Sequence, residues 1–264
     1  MSNDAQDQNG GWLPGFGAWW KDLKVAAAFL TRLPIRLGDS SGLSALAGAA
    51  RCFPLVGFGV GLLGGILYAL AIALDLPPLL AAIIAVAATV AATGALHEDG
   101  LADTVDGFGG GGGRDRKLQI MRDSRIGTYG VIALVLALGA RVIALASFED
   151  NADAVAALIL CQAASRALIV AAMQREPLAR GDGLAASAGR PSQAAMLWAL
   201  GLGGFTALAL AGLDGVAALV AGAAVAWAIA WLARRQIGGV TGDVLGAVQQ
   251  GSEIAMLLAL VALD

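Results

Sequence analysis

The chain has 264 residues, of which 58% are hydrophobic and only 14% are charged, with a formal net charge of −3. Soluble domains average about a quarter charged residues, so this composition excludes an ordinary soluble domain. Repeated apolar runs of about 20 residues are long enough to cross the hydrocarbon core of a bilayer. They must be helical, because lipid offers no hydrogen-bond partner to the backbone. The predicted fold class is therefore all-α, a polytopic membrane helical bundle.

Residues 1–24 form a polar and interfacial segment in this interpretation. Met1–Gly11 is polar, and Trp12, Trp19 and Trp20 lie beside Lys21 and Lys24. Aromatic rings next to cations are typical of an anchor at headgroup depth. Residues 25–264 then make up a single integral-membrane domain, whose partners include the lipid bilayer.

The apolar runs predict about seven spans, with six as the alternative because Gln249, Gln250 and Glu253 interrupt the last run. We expect a tight turn at Asp214-Gly215 and a Gly-rich loop from Arg234 to Asp243. The predicted spans cover about 52–74, 79–96, 131–148, 154–173, 194–213, 216–233 and 244–263.

Fifteen of the 17 Lys and Arg residues fall on one side of this topology, while the opposite turns contain acids and prolines. The positive-inside rule therefore predicts a cytoplasmic N-terminus and cytoplasmic basic loops. We expect a multi-pass protein of the cell inner (cytoplasmic) membrane, with its active site at the cytoplasmic face. Wide faces of small residues predict a homo-oligomer, since small residues let membrane helices approach closely. We expect no nucleic-acid partner.

The segment from His97 to Gly130 is densely polar between two apolar runs. Asp99, Asp103 and Asp106 have i, i+4, i+7 spacing, which places them on one face of a helix. Oxygen ligands favour magnesium or manganese. Asp123 follows, beside Arg122 and Arg125, and arginines that grip phosphate next to metal-binding carboxylates are typical of phosphoryl transfer. The alternative is a solvated acidic loop.

Other polar residues have two interpretations each. His97 either contacts substrate or supports a carboxylate. Arg166 and Arg141 lie inside spans, where charge usually faces a cavity or a partner; Arg166 is a candidate for binding an anionic substrate, and Arg141 is expected to pair with Glu253. Asp243 either completes the acid cluster or starts a capped helix. The glycines at 109–113 either approach phosphate or form a hinge.

Five motifs resemble those of the cobalamin synthase family, the adenosylcobinamide-GDP ribazoletransferases, in order from about Lys24 to the C-terminus. The glycine run and Glu98 depart from the family pattern, so Glu98 is left out of the site as an interfacial charge. The motifs are Phe29-Leu30-Thr31-Arg32-Leu33-Pro34, Phe53-Pro54-Leu55-Val56-Gly57, His97-x-Asp99-Gly100-Leu101-Ala102-Asp103-Thr104-x-Asp106-Gly107, Ile120-Met121-Arg122-Asp123-Ser124-Arg125-x-Gly127 and Gly238-Gly239-x-Thr241-Gly242-Asp243-x-Leu245-Gly246-Ala247.

The resemblance implies that adenosylcobinamide-GDP reacts with α-ribazole, or its 5′-phosphate, releasing GMP in the last stage of adenosylcobalamin synthesis with Mg²⁺ as cofactor. Asp99, Asp103, Asp106 and Asp123 are then the expected metal ligands. The expected catalytic residues are Asp123, Asp106 and His97. The expected substrate- and phosphate-binding residues are Arg122, Ser124, Arg125, Arg32, Arg166, Thr241 and Asp243.

Two other functions remain alternatives. A lipid-making CDP-alcohol phosphotransferase shares the nucleotide-displacing chemistry, although its Ala-Arg dipeptide does not follow Asp106-Gly107 here. A small-solute transporter would place polar groups near the bilayer midplane, where Arg141 and Glu253 are the candidates.

Overall fold

The computed structural model describes residues 15–37 and 45–264. The polar segment Met1–Gly11 and Trp12 of the predicted anchor lie outside the described residues. Within them the chain is helical, and the helices are α1 (Phe16–Leu30), α2 (Leu46–Ala49), α3 (Phe53–Ala73), α4 (Pro78–Thr93), α5 (Leu96–Gly109), α6 (Arg114–Ile120), α7 (Thr128–Ala146), α8 (Asn151–Arg175), α9 (Leu184–Ala188), α10 (Gln193–Ile237) and α11 (Gly242–Val261).

The predicted all-α fold is confirmed, since the described residues contain no strand beyond one isolated bridge between Leu178 and Val240. Five helical segments in the described ranges are long and apolar enough to cross a membrane, or six if α4 and α5 together make one bent span. The number of crossings, about seven from the sequence, stays a prediction. The five segments are Leu46–Ala73, Thr128–Ala146, Asn151–Arg175, Gln193–Ile237 and Gly242–Val261.

Helix α10 is broken near its middle, where Ala211 and Gly212 leave the helical conformation. A Cβ added to Gly215 would collide with the carbonyl oxygen of Ala207, so the chain folds back across the break. The turn predicted at Asp214-Gly215 is therefore wrong. Gly212 makes the turn because its φ of 54° favours glycine, whereas Gly215 allows the two arms to meet.

The Gly-rich loop predicted from Arg234 begins later than expected. Helix α10 continues to Ile237, so Arg234 and Arg235 lie in its last turn. Cations there interact favourably with the negative end of the helix dipole, which explains why the helix extends past the apolar run.

Helix α8 is the central helix of the bundle. Of its most apolar 18-residue window, 83% is buried, against 28% for α7, which leaves most of its surface for lipid. Glycines bring α3 against it: a Cβ on Gly61 would lie 2.6 Å from the Ile159 Cα, and one on Gly57 would collide with the Gln162 carbonyl. Cys161 of α8 and Cys52 are both free and buried.

A sharp bend of 88° separates α4 from α5. Gly94 and Ala95 both adopt left-handed backbone conformations there, with φ of 66° and 58°. Helix α5 then packs on α11 through two glycines. A Cβ on Gly100 would lie 2.7 Å from the Asp243 carbonyl oxygen, and one on Gly246 would lie 3.0 Å from the His97 carbonyl oxygen. The bend thus presents the polar face of α5 beside the start of α11.

Polar connections gather at one end of the bundle. The Arg114 guanidinium on α6 donates hydrogen bonds to the carbonyl oxygens of Ile237, at 3.0 Å, and Ala179. Lys117 donates to the Phe108 carbonyl at 3.1 Å and also to Gln236. Helix α6 therefore ties the end of α5 to the end of α10 and to the loop after α8.

Candidate active site

Asp99, Asp103 and Asp243 form an acid cluster where α5 meets the start of α11. Burial and the charges of Asp99, Asp243 and Asp106 raise the pKa of the half-buried Asp103 to about 7. Crowded carboxylates raise one another's pKa values because each charge disfavours the next. Two of the three acids predicted on one face of α5, Asp99 and Asp103, thus share the cluster with Asp243.

Thr241 caps helix α11 beside the cluster. The Val244 backbone N–H donates to Thr241 Oγ1 at 3.3 Å, and the Thr241 hydroxyl donates to Asp243 Oδ2 at 3.1 Å. The helix start predicted at Asp243 is wrong, because α11 begins at Gly242 and Thr241 is its cap. Asp243 lies in the first turn, and its charge acts on Asp103.

Asp106 has a separate structural role in this arrangement. Its buried carboxylate accepts hydrogen bonds from the backbone N–H of Gly127 at 2.7 Å and of Gly130 at 2.8 Å. These N–H groups have no partner within helix α7 because they lie at its N-terminus, where a carboxylate is favourable. Asp106 therefore holds α7 against α5.

Asp123 lies on the surface and is not brought to the acids of α5. Its carboxylate accepts hydrogen bonds from Arg125 Nε at 3.1 Å and from a terminal guanidinium nitrogen at 2.8 Å, and Arg125 lowers the pKa of Asp123 to about 2. Ser124 between them is exposed. The structure thus groups Asp123, Ser124 and Arg125 in one exposed turn.

Arg180 and Asp182, which the sequence analysis does not single out, connect Arg122 to the acid cluster. Arg122 donates to both oxygens of Asp182 at 2.6 Å. Arg180 lies 3.6 Å from Asp182 and 3.7 Å from Asp243, and its buried Nη1 has no hydrogen-bond partner among the described residues. The only sequence signal for these residues is their place in a basic loop on the same predicted side as the central motif.

A cavity of about 110 Å³ opens beside the acid cluster. His97 lines it and is only 4% exposed, and its Nε2 has no hydrogen-bond partner among the described residues. Asp99 and Asp243 line the same cavity, so the predicted role of His97 in the site has a geometric basis.

The other two predicted anion-binding arginines lie apart from the cluster. Arg32 is exposed over the bend between α4 and α5, where its backbone N–H donates to the Ala92 carbonyl at 2.8 Å. Arg166 is 1% exposed and donates to the Gln162 carbonyl at 2.9 Å. Arg166 therefore belongs to the bundle interior rather than to an open surface.

A buried ionic network lies in the bundle interior around Arg141. The predicted contact with Glu253 is present at 2.9 Å, and Glu98 contacts the same guanidinium at 2.9 Å. The interpretation of Glu98 as an interfacial charge is wrong. Glu98 is only 6% exposed, and its carboxylate also accepts a hydrogen bond from Gln250 at 3.1 Å. Pairing with Arg141 is what permits a carboxylate at this depth.

The acid cluster has the donor chemistry of a magnesium site without being assembled as one. Across residues 15–37 and 45–264, no three His, Cys, Asp or Glu side chains converge closely enough to hold a metal ion. Asp99, Asp103 and Asp243 nevertheless offer only oxygen ligands and repel one another, which a hard divalent cation would offset.

The glycine run has exposed Gly111 and Gly112 with φ of 75° and 80°, as expected for a turn.

Helices long enough to cross a bilayer, with acids and arginines gathered at one end, define a polytopic membrane protein with a polar site at its helix ends. The chain belongs to the cobalamin-5-phosphate synthase (CobS) family, whose model matches residues 22–261.

Curated relatives agree with this assignment, and each is named adenosylcobinamide-GDP ribazoletransferase. The protein from Bradyrhizobium diazoefficiens is 46% identical over 242 residues, covering 91% of this chain and 93% of the relative. The protein from Mesorhizobium japonicum is 46% identical over 244 residues, covering 92% and 94%, respectively. No solved structure gives a significant match.

Proposed function

We propose that this protein transfers the adenosylcobinamide-phosphate group of adenosylcobinamide-GDP to α-ribazole, or to its 5′-phosphate, and releases GMP. The observation that supports the proposal most directly is the acid cluster of Asp99, Asp103 and Asp243 next to Arg180, in a chain 46% identical to proteins named for this reaction. We further propose that the site faces the cytoplasm at the inner membrane, as the distribution of basic residues predicts.

The reaction displaces a nucleotide from a diphosphate. A ribose hydroxyl oxygen of α-ribazole forms a bond to the phosphorus that carries adenosylcobinamide. The bond from that phosphorus to the bridging oxygen breaks, and the bridging oxygen leaves with GMP. The hydroxyl proton passes to a carboxylate of the acid cluster. Positioning and charge stabilisation dominate such transfers.

Mg²⁺ fits the cluster by donor type, and Asp99, Asp103 and Asp243 are the residues that would hold it. A bound Mg²⁺ supplies charge neutralisation to the diphosphate. Asp106 keeps α5 and α7 together through Gly127 and Gly130, which fixes the position of Asp103 one turn earlier on the same helix. In this proposal Asp106 is a positioning residue.

Arg180 is placed to bind the leaving phosphate. Its guanidinium is mostly buried, lies near Asp243, and keeps one terminal nitrogen without a hydrogen-bond partner among the described residues. Arginine binds phosphate in a bidentate manner. Arg122, which is paired with Asp182 beside it, adds a second cation at the same edge of the site.

The test is GMP release by detergent-purified protein given adenosylcobinamide-GDP and α-ribazole, with and without Mg²⁺. We expect release only when both substrates and Mg²⁺ are present. Asp99→Asn and Arg180→Gln should each reduce the rate at least about 100-fold, in the range of losses from removing a charge-stabilising group. Asp115→Asn is the control, because Asp115 is exposed and pairs with its neighbour Arg114.

Other outcomes would redirect the assignment. Release of CMP from a CDP-alcohol, without GMP release, would favour the lipid phosphotransferase. Full activity in the presence of a chelator would reject the magnesium part of the proposal. No turnover by folded protein in either assay would reject the transferase and leave the transporter as the interpretation to test.

A further inference from the structure

We propose that the cavity beside the acid cluster binds the aromatic base of α-ribazole. This inference rests on the proposed function and goes beyond it by assigning one substrate to one place. We name the cavity the base cavity. It lies between α1, α2, α3, α5, α8, α9 and α11, and the residues that carry the argument are Phe29, Phe53, His97, Ile169, Met173 and Ala188.

The lining suits a flat, apolar ring system. Phe29, Phe53, Ile169 and Met173 present aromatic, aliphatic and thioether surface to the base cavity. Burial of apolar surface is favourable in proportion to its area, and ligand sites combine an apolar lining with a few placed polar groups. The base of α-ribazole, a benzimidazole with two methyl groups, has an apolar body of this kind.

His97 brings an imidazole side chain to the lining of the base cavity. Its Nε2 is buried without a hydrogen-bond partner among the described residues, although buried polar atoms are nearly always paired. In α-ribazole one ring nitrogen of the benzimidazole carries the ribose, which leaves a single ring nitrogen to accept a hydrogen bond. The base therefore needs one hydrogen-bond donor, and the imidazole of His97 in the cavity lining is a group that can supply it.

The position of the base cavity places the attached ribose at the reacting centre. Asp99 and Asp243 line the cavity, and their charges act on Asp103. A base held in the cavity therefore has its ribose next to the acid cluster, where the attacking hydroxyl is needed.

The other substrate fits the base cavity less well. A corrin ring is much larger than a benzimidazole, and the apolar side chains of the lining offer no partners to its polar substituents. Guanine presents the N7 and O6 acceptors along one edge, and Phe29, Phe53 and Ile169 offer these acceptors no hydrogen-bond donor. The cavity therefore selects the acceptor nucleoside over the donor nucleotide.

The experiment fills the cavity and compares two acceptors. Ala188→Leu adds volume at a lining position that is 4% exposed. Ala156→Leu is the control, since Ala156 lines a different cavity, at the opposite end of the bundle with Asp214 and Asp264. Michaelis constants are measured for α-ribazole, for the riboside of unsubstituted benzimidazole, and for adenosylcobinamide-GDP.

We expect Ala188→Leu to raise the KM for α-ribazole by about tenfold or more, as one surplus methylene does in an apolar pocket. The KM for the riboside of unsubstituted benzimidazole should rise less, because this riboside lacks the two methyl groups. The KM for adenosylcobinamide-GDP should not change. Ala156→Leu should change none of the three constants. A rise confined to adenosylcobinamide-GDP, or equal losses for both ribosides, would overturn the assignment.

A second measurement separates failure of this inference from failure of the proposed function. Binding of α-ribazole alone is followed by its fluorescence with wild-type, Ala188→Leu and His97→Leu proteins, after thermal unfolding shows that each is folded. If wild-type protein releases no GMP, the proposed function fails, and weaker α-ribazole binding in both variants still supports the base cavity. Equal binding by all three proteins rejects it.

Discussion

The Asp106 carboxylate accepts a hydrogen bond from the Gly127 backbone N–H at 2.7 Å, across the gap between α5 and α7. The contact is so close that a Cβ at Gly127 would collide with the carboxylate. One acid of the i, i+4, i+7 set therefore joins two helices, while Asp99 and Asp103 meet Asp243.

This division of roles predicts that Asp106→Ala destabilises the protein. The buried N–H of Gly130 and the part-buried N–H of Gly127 would lose their partner, and an unpaired buried donor costs about 1–3 kcal/mol in general. The melting temperature in magnesium-free detergent should fall clearly. Asp99→Ala is the comparison: the Asp99 side chain is exposed, and removing its charge relieves repulsion on Asp103, so the melting temperature should not fall. Equal melting temperatures for both variants would contradict the capping role.

The buried network predicts a larger effect at Arg141. Arg141→Met would leave Glu98 and Glu253 buried without the cation that contacts both, and breaking a buried pair in this way costs about 3–5 kcal/mol. Unfolding by SDS should then occur at a much lower detergent fraction. Adding Glu98→Gln and Glu253→Gln removes the unpaired charges and should recover part of the loss. A triple variant no more stable than Arg141→Met alone would argue against charge pairing as the cause.

Much of the bundle could be predicted, because the length of an apolar run shows whether a helix can cross the membrane. The predicted span at 154–173 lies inside α8, and Arg141 contacts Glu253 as expected of two charges within spans. These features follow from local composition and the cost of unpaired charge in a membrane. The sequence predicts the turn two residues after the break at Gly212, because Asp214-Gly215 is also a strong turn signal.

The assembly of the site could be predicted only in part. The spacing of Asp99 and Asp103 indicates a shared helix face, but only the 88° bend at Gly94 and Ala95 turns that face toward Asp243. Arg180 lies in a loop without periodicity, so no sequence pattern relates it to the site. Burial of Glu98 depends on a partner 43 residues away, which a local pattern does not reveal.

The raised pKa of Asp103 predicts a pH-dependent stability in magnesium-free solution. The folded protein disfavours the anionic form of this carboxyl. The contribution of Asp103 to the stability of the folded protein is therefore most favourable at low pH. Stability should fall as the pH rises from its ordinary pKa of 3.8 to the folded value of about 7, and it should not fall further above that. Asp103→Asn should remove this decline. The check is the melting temperature of both proteins across that range; parallel curves would exclude Asp103 as the source.

The contact between α3 and α8 predicts opposite outcomes for two glycines on one helix. Gly61→Ala would place a methyl group 2.6 Å from the Ile159 Cα, and since backbone must shift, we expect a loss of about 1–3 kcal/mol. Gly59→Ala meets no atom within 4 Å and should keep or increase stability, because alanine favours helix over glycine by about 1 kcal/mol. Unfolding in SDS measures both. Equal destabilisation would mean that the helix, rather than its packing, is sensitive to the substitution, whereas a loss at Gly61 alone would show that α8 must lie at this distance from α3.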